Sequence, residues 1–421
     1  MMFKTDFAPQ LEKWIRNAEE KISPVHLAIE KRAEHNQEKV LNAFLKNKIS
    51  DSHFIPTTGY GYDDQGRGAL EAVFADVFGA DAALVRPQII SGTHAISIAL
   101  FGVLRPGDEL LYITGKPYDT LEEIIGIRGT DNGSLKDFGI HYNQVDLTSD
   151  GKIDLEKVVT SIRPETKMIG IQRSKGYAVR PSFTIEDIRE AVSQIKEAYP
   201  DVVIFVDNCY GEFVETEEPC AAGADLIAGS LIKNPGGGLA KTGGYLAGTN
   251  ELIKQCSYRM TSPGIGAEAG ASLYSLQEMY QGFFLAPHVV SQALKGAVFT
   301  SALLEEAGMT TTPSWNEVRT DLIQAVEFGD RERMIAFCQA IQAASPVNAQ
   351  FAPQADYMPG YEDDVIMAAG TFIQGSSIEL SADGPLRPPY AAYVQGGLTY
   401  EHVKIAVSRA LQSLIAQDLI K

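Results

Sequence analysis

From about residue 70 the chain alternates short apolar runs with helix-period stretches, and this alternation constrains the fold more than any other feature. The runs are AALVRPQII, DELLYI, IHYNQVDL, KMIGIQ, DVVIFVD, ADLIAGSL and GGYLAG. Between them lie THAISIALFGVL, TLEEIIGI, DLEKVVTSI and TIEDIREAVSQIKEAY. Strands separated by helices return to the same sheet in parallel, because the crossover helix must pack back onto the sheet face. The pattern predicts an α/β domain with a mainly parallel, seven-stranded sheet covered by helices on both faces. DVVIFVD is apolar almost throughout, as a central strand buried on both faces should be.

The flanks read differently. The first fifty residues carry two amphipathic helical patterns, FAPQLEKWIRNAEEKI and HLAIEKRAEHNQEKVLNAFLKN, which predict a helical arm over 1–55. Such an arm either caps its own core or packs on a neighbour. A large domain over 56–290 follows, and a smaller α+β domain over 291–421, opened by the long helical stretch HVVSQALKGAVFTSALLEEAG. The 421 residues carry 54 acidic and 36 basic side chains, a formal charge of −18. That excess argues against nucleic acid or an anionic membrane as partner, since both require a cationic footprint. No apolar run reaches membrane length. The four cysteines show no metal-ligand spacing, so the expectation is a reduced, cytoplasmic protein without a metal.

The chemistry gathers at strand ends, where open α/β sheets bind ligands. Asp207 closes DVVIFVD and is either a turn or cap residue or an acid facing a ligand. Lys233 follows the next apolar run in GSLIKNPGGG, three residues after Ser230 and ahead of three glycines. Burial there is expected to depress its pKa and free the amine, the form that makes Schiff bases with carbonyls. Ser91, Gly92 and Thr93 stand where a strand passes into a helix, so their N–H groups and hydroxyls suit a phosphate. Tyr118, in KPYDT, offers a ring to stack on a flat cofactor. TTGYGYDDQGRG exposes Tyr60, Tyr62 and Arg67 between glycines, as a plain surface loop or as a binding loop. Glu215, Glu217 and Glu218 read as a solvated acidic face.

These pieces, in this order, resemble the fold type I pyridoxal-phosphate enzymes of cysteine and methionine metabolism. SGTHA resembles their phosphate loop, VDNCYGEF their acid at the pyridine nitrogen, and SLIK their Schiff-base lysine with its phosphate-binding serine. TTGYGYDDQGRG, RPQIISGTHAI, SLIKNPGGGLAKTGGYLAG and DGPLRPPYAAYVQGGLTYEH are similar to a subgroup of carbon–sulfur lyases linked to aluminium resistance. The resemblance implies pyridoxal 5'-phosphate as cofactor and a small sulfur-containing amino acid as substrate. It implies catalytic roles for Lys233 and Tyr118, and cofactor contacts from Asp207, Ser230, Ser91, Gly92, Thr93 and Tyr118. It also implies a homodimer or homotetramer with sites shared between subunits. The chain departs from the better-known lyases in having Ile232 before the lysine where they have threonine. Their tyrosine–x–arginine loop is not reproduced either. Arg387 and Arg173 are the candidates for the substrate carboxylate, with Tyr60, Tyr62 and Arg67 as further substrate-site residues. The readings left open are transamination, aldol cleavage or racemisation on the same cofactor, and a non-catalytic cofactor-binding protein.

Overall fold

The computed structural model describes residues 7–178, 180–358 and 361–420. The chain divides into two compact units, one of residues 35–286 and one that joins residues 1–34 to residues 287–421.

The larger unit is built on a seven-stranded sheet. Its strands are β1 (Ala82–Arg86), β2 (Glu109–Tyr112), β3 (His141–Gln144), β4 (Thr166–Gln172), β5 (Val203–Asp207), β6 (Leu226–Ser230) and β7 (Gly244–Gly248). Their order is β1-β7-β6-β5-β4-β2-β3. Only β7 runs against its neighbours, pairing antiparallel with β1 and β6. The central strands β5 and β6 are buried at every position, as the unbroken apolar run requires. Helices α3 (Gly92–Val103), α4 (Asp119–Ile125), α5 (Leu155–Ser161) and α6 (Ile185–Ala198) supply crossovers between successive strands, while α2 (Gln65–Phe78) precedes β1 and α7 (Asn250–Met260) follows β7. Most start on a side-chain cap. Asp64, Ser91, Asp154, Thr184 and Thr249 each accept a hydrogen bond from an N–H of the first turn, a contact worth about 1 kcal/mol. One face of the sheet packs Leu84, Leu110, Phe205, Leu226 and Leu246 against Ile96, Ala99 and Leu100 of α3. Near β7, Phe74 and Phe78 of α2 pack on Phe283 and on the ring of Tyr245.

The smaller unit contains a five-stranded antiparallel sheet in the order β10-β11-β12-β9-β8. Its strands are β8 (Thr310–Thr312), β9 (Gln324–Glu327), β10 (Val365–Ala368), β11 (Ser381–Pro385) and β12 (Ala391–Gln395). Helices α9 (Arg331–Ala343) and α10 (Tyr400–Ala416) pack on each other in the same unit.

One expectation changes. The N-terminal patterns form one helix, α1 (Pro9–Lys46), that continues through Pro24. Proline removes one N–H donor from a helix interior. The buried stripe Leu11, Ala18, Ile22 and Ile29 runs across the break and holds the helix together. Residues 1–34 therefore group with the C-terminal part instead of standing as an arm of their own. Ala8 N–H donates to Gln412, and Asn17 donates to Glu306 in α8 (Leu276–Glu306). Among the described residues no helix is long and apolar enough to cross a membrane.

Phe74 is fully buried and stacks on Phe283 with ring centroids 3.8 Å apart. Phe74→Ala should therefore destabilise the larger unit by about 3–5 kcal/mol, read as a lowered urea midpoint with an unchanged slope.

Candidate active site

Neighbouring parallel strands β5 and β6 deliver the two charged groups. Asp207 is the last residue of β5 and pairs in register with Ala228 of β6, so the chain after β6 passes the acid. The Asp207 side chain is 8% exposed and accepts a hydrogen bond from Cys209 N–H at 3.1 Å. Burial raises its pKa, opposed by the Lys233 ammonium and by the Cys209 N–H. Lys233 follows Ser230 in a tight turn, and its Nζ lies 3.9 Å from the ring centroid of Tyr210.

The lysine corrects one expectation. Burial does act to lower its pKa, yet the net displacement is upward, because Cys209, Tyr210 and the Asp207 carboxylate face the amine. An ammonium between an aromatic face and a buried carboxylate is held charged.

The Lys233 turn has little room to move. A Cβ at Gly237, where φ is +54°, would lie 2.2 Å from the carbonyl oxygen of Gly282 in α8. The glycine run thus serves close backbone contact as well as a left-handed turn. Asn234, fully buried, donates through Nδ2 to the carbonyls of Tyr210 (3.0 Å) and Glu212 (2.9 Å). The segment after Asp207 and the segment after Lys233 are thereby clamped together. Tyr210 itself sits at φ +73°, a conformation that costs a non-glycine residue energy and concentrates at functional sites.

The phosphate-loop residues come to the same place. Ser91 caps α3, its Oγ accepting from His94 N–H at 3.0 Å. Gly92 opens the helix, and a Cβ there would lie 3.1 Å from Cys209 Sγ and 3.3 Å from Ser230 Cβ. Thr93 Oγ1 is 3.4 Å from Thr120 Oγ1, which ties the start of α3 to the start of α4. The Ser230 hydroxyl is buried without a hydrogen-bond partner. An orphaned hydroxyl costs free energy unless a ligand satisfies it. Together with the N-terminus of α3, it fits a bound phosphate. Tyr118 is the N-cap residue of α4, not part of β2. Its N–H donates to Gln172 Oε1 at 2.8 Å, and Gln172 pairs in register with Asp207. The Tyr118 ring is 6.4 Å from that of Tyr177.

The arginines behave otherwise. Arg173 is fully buried, donating to Asn208 (2.8 Å) and Glu215 (2.7 Å), with Glu218 at 3.6 Å. Its guanidinium is committed to these partners, so the expectation that it takes a substrate carboxylate is corrected. The same contacts overturn the solvated reading of Glu215 and Glu218, since Glu218 is 1% exposed. Arg67 is likewise buried and committed, to the carbonyls of Gly61, Gly270 and Glu268. It shapes the tyrosine loop instead of pointing to a substrate. Tyr60 and Tyr62 are exposed on that loop, their rings stacked 5.3 Å apart. Arg387 lies just after β11 in the smaller unit and ion-pairs with Asp363 at 2.9 Å. Among the described residues no cluster of metal-ligating side chains occurs.

Tyr210, Asn234 and Gln172 are the residues that sequence reading passes over. Asn234 stands beside the lysine in an otherwise apolar and glycine-rich stretch, and that was the available signal. A left-handed tyrosine leaves none.

A buried acid at the end of one parallel strand, a lysine turn after the next and a capped helix beside an orphaned serine define a pyridoxal-phosphate enzyme of fold type I. The chain belongs to the methionine gamma-lyase family, whose model matches residues 11–415. It is 70% identical over 411 residues to the uncharacterised protein YnbB of Bacillus subtilis, covering 97% of this chain and 98% of that one. A crystal structure from Listeria monocytogenes, of a protein ascribed to cystathionine beta-lyases and to aluminium resistance, is 65% identical. Its TM-score is 0.94, and 96% of this chain and 99% of that one are covered. The pyridoxal-5'-phosphate dependent protein YhfS of Escherichia coli shares the fold at 19% identity, with a TM-score of 0.62 over 91% of this chain and 96% of that one.

Arg173→Ala should cost about 3–5 kcal/mol of stability, because it leaves Glu218 buried and unpaired. Chemical unfolding of the cofactor-free chain measures this, and a stable variant altered only in substrate affinity would restore the substrate-binding role.

Proposed function

We propose that the protein is a carbon–sulfur lyase that removes a thiol from a small sulfur-containing amino acid by alpha,beta- or alpha,gamma-elimination. The observation that carries this reading is the convergence of Lys233, Asp207 and the unpartnered Ser230 hydroxyl at the ends of β5 and β6. Family membership supports it.

Pyridoxal phosphate, when bound, supplies an electron sink conjugated to the substrate's alpha carbon. The chain's own groups do the rest. The Ser230 hydroxyl and the N–H groups at the start of α3 would hold the phosphate. The Asp207 carboxylate would keep a proton on the pyridine nitrogen. The Lys233 amine would hold the cofactor through its carbonyl carbon and would serve as the base that takes the proton from the substrate's alpha carbon. The carbon–sulfur bond then breaks with its electron pair on sulfur, which leaves as a thiol after protonation. One water completes the balance, giving a keto acid and ammonia. Tyr118, at the N-cap of α4, would offer its ring to the cofactor and its hydroxyl to proton transfer toward the leaving group. Arg387 is the remaining arginine of the expected set with an exposed guanidinium, and we assign it to the substrate carboxylate.

We further propose that the active form is a homo-oligomer, in which the exposed Tyr60–Tyr62 loop of one copy serves the site of another. Sedimentation should give a dimer or tetramer, and a monomer with full turnover would sink this idea. The work is done in the reducing cytoplasm, in keeping with four free cysteines.

Purified protein should be yellow and should become labelled at Lys233 on borohydride reduction. Lys233→Ala should not be labelled and should lose about 10²–10⁴-fold in turnover. Thiol, keto acid and ammonia in equal amounts are expected from the productive substrate. Amino transfer to an added keto acid without thiol release would make the protein a transaminase instead.

A further inference from the structure

Beneath the lysine turn lies a second buried carboxyl group that the proposed reaction does not use. Glu212 is fully buried, five residues after Asp207. Its Oε1 accepts from the Tyr245 hydroxyl of β7 at 2.8 Å, and its Oε2 has no hydrogen-bond partner. The same Oε1 would be 2.5 Å from a Cβ placed on Gly229 of β6, so the carboxyl lies directly against the strand that leads to Lys233. Its own carbonyl receives the Asn234 amide that clamps the turn.

Glu218, by contrast, is ringed by donors. Its oxygens accept from Phe213 N–H (2.8 Å) and Asn208 Nδ2 (3.0 Å), with the Arg173 guanidinium at 3.6 Å. Glu212 has no such arrangement. Among the described residues no cation lies within ion-pair distance of it. The groups that face it are Lys233 beyond β6, Tyr245 on β7, and Cys209 and Glu218 on its own connection. Behind Tyr245 stand the rings of Phe74 and Phe78. An isolated carboxylate in such surroundings loses far more hydration than one hydroxyl returns. The group is more stable as the acid.

We propose that Glu212 is a positioning residue carried as a neutral carboxylic acid, its side chain bracing β6 against Tyr245 while its main-chain carbonyl holds Asn234 of the Lys233 turn, without adding a second negative charge beside Asp207. Its importance to the reaction rests on the reading of Lys233 as the cofactor lysine; its protonation does not. With Glu212 neutral, Asp207 and Lys233 face each other as one anion and one cation. Ionised, Glu212 would compete with Asp207 for the same ammonium.

Burial, with Glu218 adding to it, lifts the Glu212 pKa to about 8, against its own backbone N–H, the hydrogen bond from Tyr245 and the charge of Lys233. The unfolded chain releases this proton near the ordinary carboxylate value of about 4.3. Folded chain therefore holds one more proton than unfolded chain between those two values. Its stability falls as pH rises through that window and levels off above it.

The test compares purified cofactor-free wild type with Glu212→Gln, which keeps the shape and the acceptor for Tyr245. Infrared spectra of the wild type near neutral pH should contain a carboxylic-acid carbonyl band that E212Q lacks. From about pH 6 to about pH 8 the wild type should lose melting temperature relative to E212Q. Absence of the band, or melting curves that run parallel, would overturn the protonated state. For the bracing role, borohydride labelling of Lys233 should survive in E212Q and weaken in Glu212→Asp, whose shorter side chain cannot reach Tyr245. Equal labelling in both would overturn it. Tyr245→Phe, which removes the same contact from the other side without touching the carboxyl, should repeat the weakening and retain the acid band. A wild type that binds no cofactor would sink the cofactor reading while leaving the infrared and melting results valid.

Discussion

Bringing the buried Asp207 carboxylate and the half-buried Lys233 ammonium together at adjacent strand ends is the constraint on which this site depends. The polar architecture around β5 and β6 follows from it. A charge moved from water into a protein interior loses several kcal/mol unless other groups replace its hydration. Here the replacement is local: the Cys209 N–H for the acid, the Tyr210 ring for the ammonium, and each charge for the other. Burial raises the pKa of the acid against the pull of its neighbours, whereas at the lysine the facing groups outweigh burial and raise it too. Binding energy for a flat, anionic, carbonyl-bearing cofactor is available because these groups are already held in place before it arrives.

Holding them requires a second layer. Asn234 and Glu212 tie the loop after β5 to the turn after β6, and Arg173, Asn208 and Glu218 lock the start of that loop from below. The left-handed backbone at Tyr210 and Phe213 is tolerated because these buried hydrogen bonds over-determine it. The glycines around Lys233 belong to the same construction, letting α8 press on the turn until it has no alternative conformation. Rigidity here is assembled from polar contacts under an apolar roof of Phe74, Phe78 and Phe283.

Much of this was legible in the sequence. Strand and helix periodicity over residues 82–248 determines a parallel sheet, because only crossover helices can join such strands. The acid, the lysine and the phosphate loop stand out because polar residues interrupt apolar runs at strand ends. The reading of the arginines was less secure. Arg67 and Arg173 are as conspicuous in sequence as a ligand-binding arginine, and both turn out to be spent on the chain's own carbonyls and carboxylates. An arginine's partners lie far away along the chain, so its local sequence carries no record of them. The acidic run at Glu215–Glu218 misleads for the same reason, since Arg173 is some forty positions upstream.

By itself, then, the sequence determined the fold class and the cofactor class, since each is written in local periodicity or in a short motif. Tertiary structure alone decided the continuous first helix, the upward pull on Lys233 and the burial of Glu218 against Arg173 and of Glu212 against Tyr245. Those outcomes depend on burial and on the sum of charges within a few ångströms. Such sums run over residues that only folding brings together.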